Sequence, residues 1–423
     1  MNKPHMPYPR KTLPPMSRIR RNLNSAHLPD PRREVRQQLL GLGLRSQIPP
    51  GARIAITAGS RSMGGFVELL SGIVDAVKEA GGQPFILPSM GSHGGAVAEG
   101  QAEILRLLGV AEETVGAPIR ATMETQTLGQ AKNGAIAHLD QLAAEADGVI
   151  VLARTAIHPE SADKFASGLL KMCVVGLGKQ HGAQEAHSHG LWESVRQVAA
   201  ITVPRAKVLF GVAVVENAFR QPVVVEVVPG NYDAFVKADE RLLEVAKEHS
   251  AKLPFREIDL LIVDEIGKTV SGSGMDLNVI GHYRATGKKQ RGEPEIGRIV
   301  ALSLTPASLG NALGIGLADF TTRRLMDAYD PAATYVNLLT AMEPGSTTNE
   351  GGLPLALDSD REAAEVALYS ALPRKAPRVC RIQDTARLNE MWVSEALLKE
   401  LDRGITIAEP LRELPFDAAG NLW

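Results

Sequence analysis

Four histidines, one lysine and one arginine stand at spacings from which chemistry could be built. One stretch runs His158-Pro159-Glu160, then Phe165-Ala166-Ser167-Gly168-Leu169-Leu170-Lys171. It continues through Met172-Cys173-Val174-Val175-Gly176 to His187 and His189. Lys171 lies among apolar residues, and an amine so placed reaches an anion, snorkels to water, or is held neutral as a nucleophile. His187 and His189 are two apart, so an extended segment would put both on one face. Imidazole is a common ligand for nickel, zinc and copper. His93 belongs to the run Gly91-Ser92-His93-Gly94-Gly95, whose free backbone N–H groups would also suit a phosphate. Arg61 is the charged residue of Gly59-Ser60-Arg61-Ser62-Met63-Gly64-Gly65. Its guanidinium fork suits a carboxylate or a phosphate.

These residues need strands and helices to bring them together. Short apolar runs at 52–58, 83–87, 148–153 and 208–215 read as buried strands. Phe66, Leu69, Leu70, Ile73 and Val77 recur at helical spacing after the first run, as Ile104, Leu105 and Leu108 do after the second. Strand–helix alternation implies a parallel sheet covered on both faces. Ligands of such sheets bind at the carboxyl ends of the strands. The loops 59–65, 88–95 and 154–168 leave those ends and carry Arg61, His93 and His158.

A helix is expected at Tyr232–His249, and Lys252-Leu253-Pro254 reads as a hinge. A strand at 259–264 then opens a second set, with strands at 298–303 and 378–382 and helices near 310–328, 361–372 and 389–402. The expected fold is therefore α/β: two α/β domains, 1–252 and 256–423, with largely parallel sheets and the site in the interdomain cleft. The segment 1–24, with Arg18, Arg20 and Arg21, reads as an arm over the first domain. The polar loop 271–278 is placed to close over the site from the second.

Composition narrows the function. The chain has 423 residues, with Lys+Arg 46 and Asp+Glu 48 and a net charge of −2. That balance lacks the basic excess that nucleic-acid binding calls for. Two cysteines, Cys173 and Cys380, provide neither a disulfide framework nor a thiolate metal site, which fits a reducing cytoplasm. No run of about 18 apolar residues is present to span a membrane, and the first residues lack the apolar core of a secretory signal. Gly59–Gly65 is no GxGxxG turn, and Gly314-Ile315-Gly316 does not follow a strand, which argues against a nicotinamide dehydrogenase.

In the order and spacing of these motifs, roughly residues 50–280 resemble the nickel-pincer lactate racemase family. The resemblance implies a racemase or epimerase of 2-hydroxy acids that works by reversible hydride transfer. Its cofactor is a nickel-pincer nucleotide, a pyridinium bisthiocarboxylate mononucleotide carrying Ni. By the same resemblance Arg61 holds the substrate carboxylate, and His93 and His158 are the two acid/base groups. Lys171 tethers the cofactor and His187 binds nickel. Lys171 and His187 are sixteen residues apart, the family's spacing between tether and nickel ligand. A second-domain cation completes the carboxylate site, with Lys268 or Arg284 as candidates.

The implied partners are a small 2-hydroxy acid and the enzymes that make the cofactor, with no nucleic acid and no membrane. This sequence departs from the family at Ala58, where the family has Asp. It also has Gly168-Leu169-Leu170-Lys171 for Gly-Gly-Arg-Lys, and His158 to Lys171 is three residues longer. It is thus expected to be a divergent homologue. Two other readings remain at this point: a divalent-metal hydrolase using His93, His158, His187 and His189, and a non-catalytic protein that binds a nucleotide or sugar acid.

Overall fold

A strand buried on both faces reads as an unbroken apolar run, and four such runs build the parallel part of the first sheet in the computed structural model. The structure describes residues 8–61, 63–158, 166–281, 293–345, 347–401 and 404–422. The first sheet contains, in spatial order, Pro222–Pro229, Val208–Glu216, Gly148–Arg154, Arg53–Ala58 and Gln83–Pro88. The last four are parallel, and Pro222–Pro229 closes one edge antiparallel. Alternate residues feed two cores. Ala55, Phe85, Val151 and Ala153 point to one face, where the helices Leu191–Arg205 and Tyr232–His249 pack. Ile54, Ile56, Ile86 and Leu152 point to the other, against Phe66–Glu79.

From Arg53–Ala58 the chain steps outward to Gln83–Pro88, then crosses back to Gly148–Arg154 on the other side. Such a reversal opens a crevice at the carboxyl ends of the two central strands. Gly59–Arg61 and Thr155–His158 leave the sheet there.

The second sheet has eight strands: Leu355–Leu357, Phe320–Thr322, Glu295–Leu304, Glu257–Ile266, Val379–Ile382, Glu390–Ser394, Met16–Arg21 and Ile405–Arg412. The first five are parallel and the last three antiparallel. Its order reverses between Glu257–Ile266 and Val379–Ile382, and Gly267-Lys268 emerge at that point. The fold is α/β with largely parallel sheets, and side chains from both halves line shared cavities.

Three elements differ from the reading above. Residues 16–21 are not an arm over the first half but a strand inside the second sheet, between Glu390–Ser394 and Ile405–Arg412. Met16 and Ile19 are fully buried there. Arg18 pairs with Glu390 at 3.2 Å and Glu409 at 2.9 Å, Arg20 with Glu390 at 2.6 Å, and Arg21 donates to the Lys252 carbonyl at 2.7 Å. The arginines therefore stitch the sheet. Residues 310–328 are not one helix: Gly310 and Gly314 take φ of 79° and 94°, which break it. Phe320–Thr322 extends as a strand before the helix Arg323–Ala328. In 389–402, Glu390–Ser394 buries alternate residues as a strand, and only Glu395–Leu398 is helical.

Leu253, within the segment read as a hinge, and Phe255, just after it, are both buried in a core of the second sheet. Among the described residues no helix is long and apolar enough to cross a membrane.

Deleting residues 1–24 removes Met16 and Ile19 from the core, at about 1.5–3 kcal/mol each, and unpairs two strands. Urea unfolding followed by circular dichroism should show a much lower midpoint and lost cooperativity. A peripheral arm would leave the midpoint unchanged.

Candidate active site

The loop that presents His93 is held by a buried amine. Lys179 is fully buried, donates to the Pro88 carbonyl at 2.6 Å and to Gln101 Oε1 at 2.9 Å, and forms an ion pair with Asp140 at 3.1 Å. Gln101 in turn donates to the carbonyls of Gly91 at 2.8 Å and His93 at 3.3 Å. Asp140 Oδ1 accepts the N–H groups of Leu142 and Ala143. Burial lowers the Lys179 pKa and raises that of Asp140; their mutual attraction opposes both shifts. The same lysine opens the helix Lys179–Ser188, whose last turn carries His187.

Lys171 is positioned by a carboxylate. Asp239, from Tyr232–His249, accepts Leu169 N–H at 2.9 Å and Leu170 N–H at 3.0 Å, capping the turn Leu169–Lys171. A Cβ at Gly168 would overlap Asp239 Oδ1, so this approach requires glycine. Burial pushes the Asp239 carboxyl up to about 6, against the two backbone hydrogen bonds. Leu169, Leu170, Cys173 and Val174 enter the first core. The chain continues as a π-helical turn, Met172–Gly176, a form that recurs at functional sites. Lys171 Nζ lies 2.6 Å from His158 Nε2 and 5.7 Å from the Trp192 ring centroid. Trp192 meets His158 edge-on, with centroids 4.8 Å apart.

Arg61, His93, His158, Lys171, His187 and Lys268 all line one cavity of about 160 Å³. Lys268 comes from the second half. Its ammonium donates to the Gly272 carbonyl and its backbone N–H donates to Ser308 Oγ at 3.0 Å. Arg61 reaches across to the loop 271–274, where a Cβ at Gly272 would collide with its guanidinium. That loop supplies Gly272 and Ser273 to the cavity wall, while Met275 and Leu277 anchor it in the core. Arg284 lies outside the described residues, as do 159–165.

Three cations act on three imidazoles here. Burial, then Lys268, Arg61 and Lys171, hold His93 well below the usual histidine range. Burial, then chiefly Lys171 and Arg61, do the same to His158. His187 is pushed down to about 3 by burial, Lys171 and Lys268. All three rings are therefore neutral at pH 7. His93 Nδ1 and His187 Nδ1 are enclosed and make no hydrogen bond among the described residues.

His189 does not join them. Residues 179–188 are helical rather than extended, so residues two apart diverge by about 200°. His189 Nδ1 turns to the Glu185 carbonyl at 3.1 Å, and the ring packs on Gly134. The four-histidine cluster of a metal hydrolase is thus not assembled. Among the described residues no three His, Cys, Asp or Glu side chains converge as a metal site. Cys173 and Cys380 are both buried and free. One imidazole and one amine in a common cavity, with an orphaned ring nitrogen, do fit a metal group that brings its own sulfur donors.

Asp239, Lys179, Asp140, Gln101 and Trp192 were not singled out from sequence. Asp239 left one signal: it falls between Phe235 and Leu242 on the apolar face of its helix.

Lys179→Met would leave Asp140 buried without its counter-charge and should cost about 3–5 kcal/mol in urea denaturation. Asp239 titrates near 6 when folded and near 3.9 unfolded. Its raised pKa stabilises the fold below about pH 4, and that contribution is lost as pH rises through 6. The stability difference between wild type and Asp239→Ala should therefore be larger at pH 5 than at pH 7.5, by roughly 1 kcal/mol.

No family model matches the chain, and no curated protein matches it. Solved structures that match this chain include these two. A protein from Thermotoga maritima aligns over 64% of this chain and 71% of its own, at 14% identity and TM-score 0.49. The lactate racemase apoprotein from Thermoanaerobacterium thermosaccharolyticum aligns over 94% of this chain and 100% of its own, at 13% identity and TM-score 0.46.

Proposed function

We propose that this protein inverts C2 of a 2-hydroxy acid, as a racemase or epimerase, with a nickel-pincer nucleotide as cofactor. The observation that carries the reading is the convergence of Arg61, His93, His158, Lys171, His187 and Lys268 on one cavity. Lys171 Nζ would hold the nucleotide and His187 would give nickel its protein ligand. When bound, the group supplies a reversible acceptor for the C2 hydrogen. His187 suits its part because, with a pKa near 3, protons do not compete for the ring at neutral pH.

The remaining steps belong to the protein. Arg61 and Lys268 come from opposite halves and bind the carboxylate between them, drawing the cleft together. Inversion requires the 2-hydroxyl of either enantiomer to lose its proton, so two bases are needed. His93 and His158 are neutral imidazoles, each able to accept that proton at a ring nitrogen and later return it. A seated carboxylate offsets the charges of Arg61 and Lys268. Acylation of Lys171 removes a third cation. Both changes raise the two rings toward the range where proton transfer near pH 7 is effective.

Protein co-expressed with cofactor-synthesis enzymes should gain mass at Lys171 and hold one nickel per chain. Lys171→Ala should lose the added mass, and His187→Ala should lose nickel while staying folded. An unmodified lysine without nickel would sink the proposal. With a 2-hydroxy acid deuterated at C2, inversion should retain the label; washout to solvent would indicate simple proton abstraction instead. His93→Asn and His158→Asn should each lower kcat by about 10²–10⁴-fold. Binding without any inversion at C2 would favour a non-catalytic binding protein.

A further inference from the structure

Resting on that reading, we infer that the substrate is a 2-hydroxy acid bearing further hydroxyl groups, which the wall built by Asn337, Thr340, Glu343 and Glu350 recognises. These four residues line the same cavity as Lys171 and the imidazoles. The wall starts on the helix Pro331–Thr340 and is tied to the first half at two points. Asn337 Nδ2 donates to Ser92 Oγ at 2.9 Å, beside His93, and Gln180 Nε2 donates to Thr340 Oγ1 at 3.3 Å. Asn337 Oδ1 also accepts from Asn311 at 3.1 Å. The turn Asn349–Gly351 is held at the cavity by Gly314 N–H donating to the Glu350 carbonyl at 2.9 Å.

The cavity is polarised. The ionic charges that act on His93, His158 and His187 are those of Lys171, Lys268 and Arg61. The carboxylates of the lining are Glu343 and Glu350. A substrate whose carboxylate is held by the cations turns the rest of its chain to an amide, a hydroxyl and two carboxylates. A methyl group there would displace water from the carboxylates and return no hydrogen bond. A second substrate carboxylate would meet like charge. Hydroxyl groups donate to carboxylates in charge-assisted hydrogen bonds and also accept from the Asn337 amide. A site built for hydroxyl recognition rejects analogues that lack it far more strongly than an apolar pocket discriminates by size.

The test compares gluconate, lactate and malate with holoenzyme, by C2 inversion and by titration calorimetry, for wild type and for Glu343→Gln/Glu350→Gln. We expect kcat/KM for gluconate to exceed that for lactate and malate by about 100-fold or more. The double variant should narrow that ratio at least tenfold. Equal turnover of lactate, or a ratio unmoved in the variant, would overturn the inference. If no acid is inverted but calorimetry still favours gluconate in wild type and not in the variant, the substrate class stands and the racemase reading falls. If neither inversion nor preference is found, both fall.

Discussion

One buried ammonium holds the two parts of the site in register. Lys179 is enclosed by Asp140, Gln101 and the Pro88 carbonyl, so it ties the end of Gln83–Pro88, the helix Ala98–Leu107 and the hairpin Thr125–Gln130/Ile136–Asp140 to the helix it opens. The loop bearing His93 hangs from this network through Gln101, and His187 sits two turns along the helix that Lys179 begins. A buried charge so placed tolerates few alternatives. Any shift that separates Lys179 from Asp140 leaves two ions in a low-dielectric interior. Conformational specificity at the site thus follows from a group that never touches the cavity.

The second constraint is topological. Each sheet reverses its strand order at one point, and the loops leaving both reversals contribute to the same cleft. Arg61 from the first and Lys268 from the second are brought together without either loop being long. The crowding of these cations with Lys171 has an electrostatic consequence: three neighbouring imidazoles remain neutral. A cavity with that charge pattern is poised for an anion, and an anion's arrival changes the basicity of the rings that would act on it.

The four parallel strands of the first sheet were legible because burial on both faces demands continuous apolar sequence, and RIAITA or GVIVLA admits few other readings; the antiparallel edge strand Pro222–Pro229 was not read. The helix Tyr232–His249 was legible from its periodicity. Met16–Arg21 was not: with three arginines in six residues it resembles a solvated segment. It is a strand because Glu390 and Glu409, far along the chain, pair with Arg18 and Arg20, backbone carbonyls accept from Arg21, and Met16 and Ile19 fill the core. In 389–402 the apolar spacing at Met391, Val393 and Leu397 is compatible with both periods, and pairing across the sheet selected the strand.

By itself the sequence marked the strand ends from which Arg61, His93 and His158 emerge, and it left Lys268 and Arg284 as alternatives after a later strand, since these follow from local apolar runs and the residues that terminate them. Only the tertiary structure decided how those residues are used. It separated His187 from His189, because a helix rather than an extended chain carries them. It set Asp239 beneath the turn of Lys171, and it brought Glu343 and Glu350 into the lining of the same cavity. Each of these depends on contacts between residues distant in sequence, where burial and charge act through space and leave no local pattern to read.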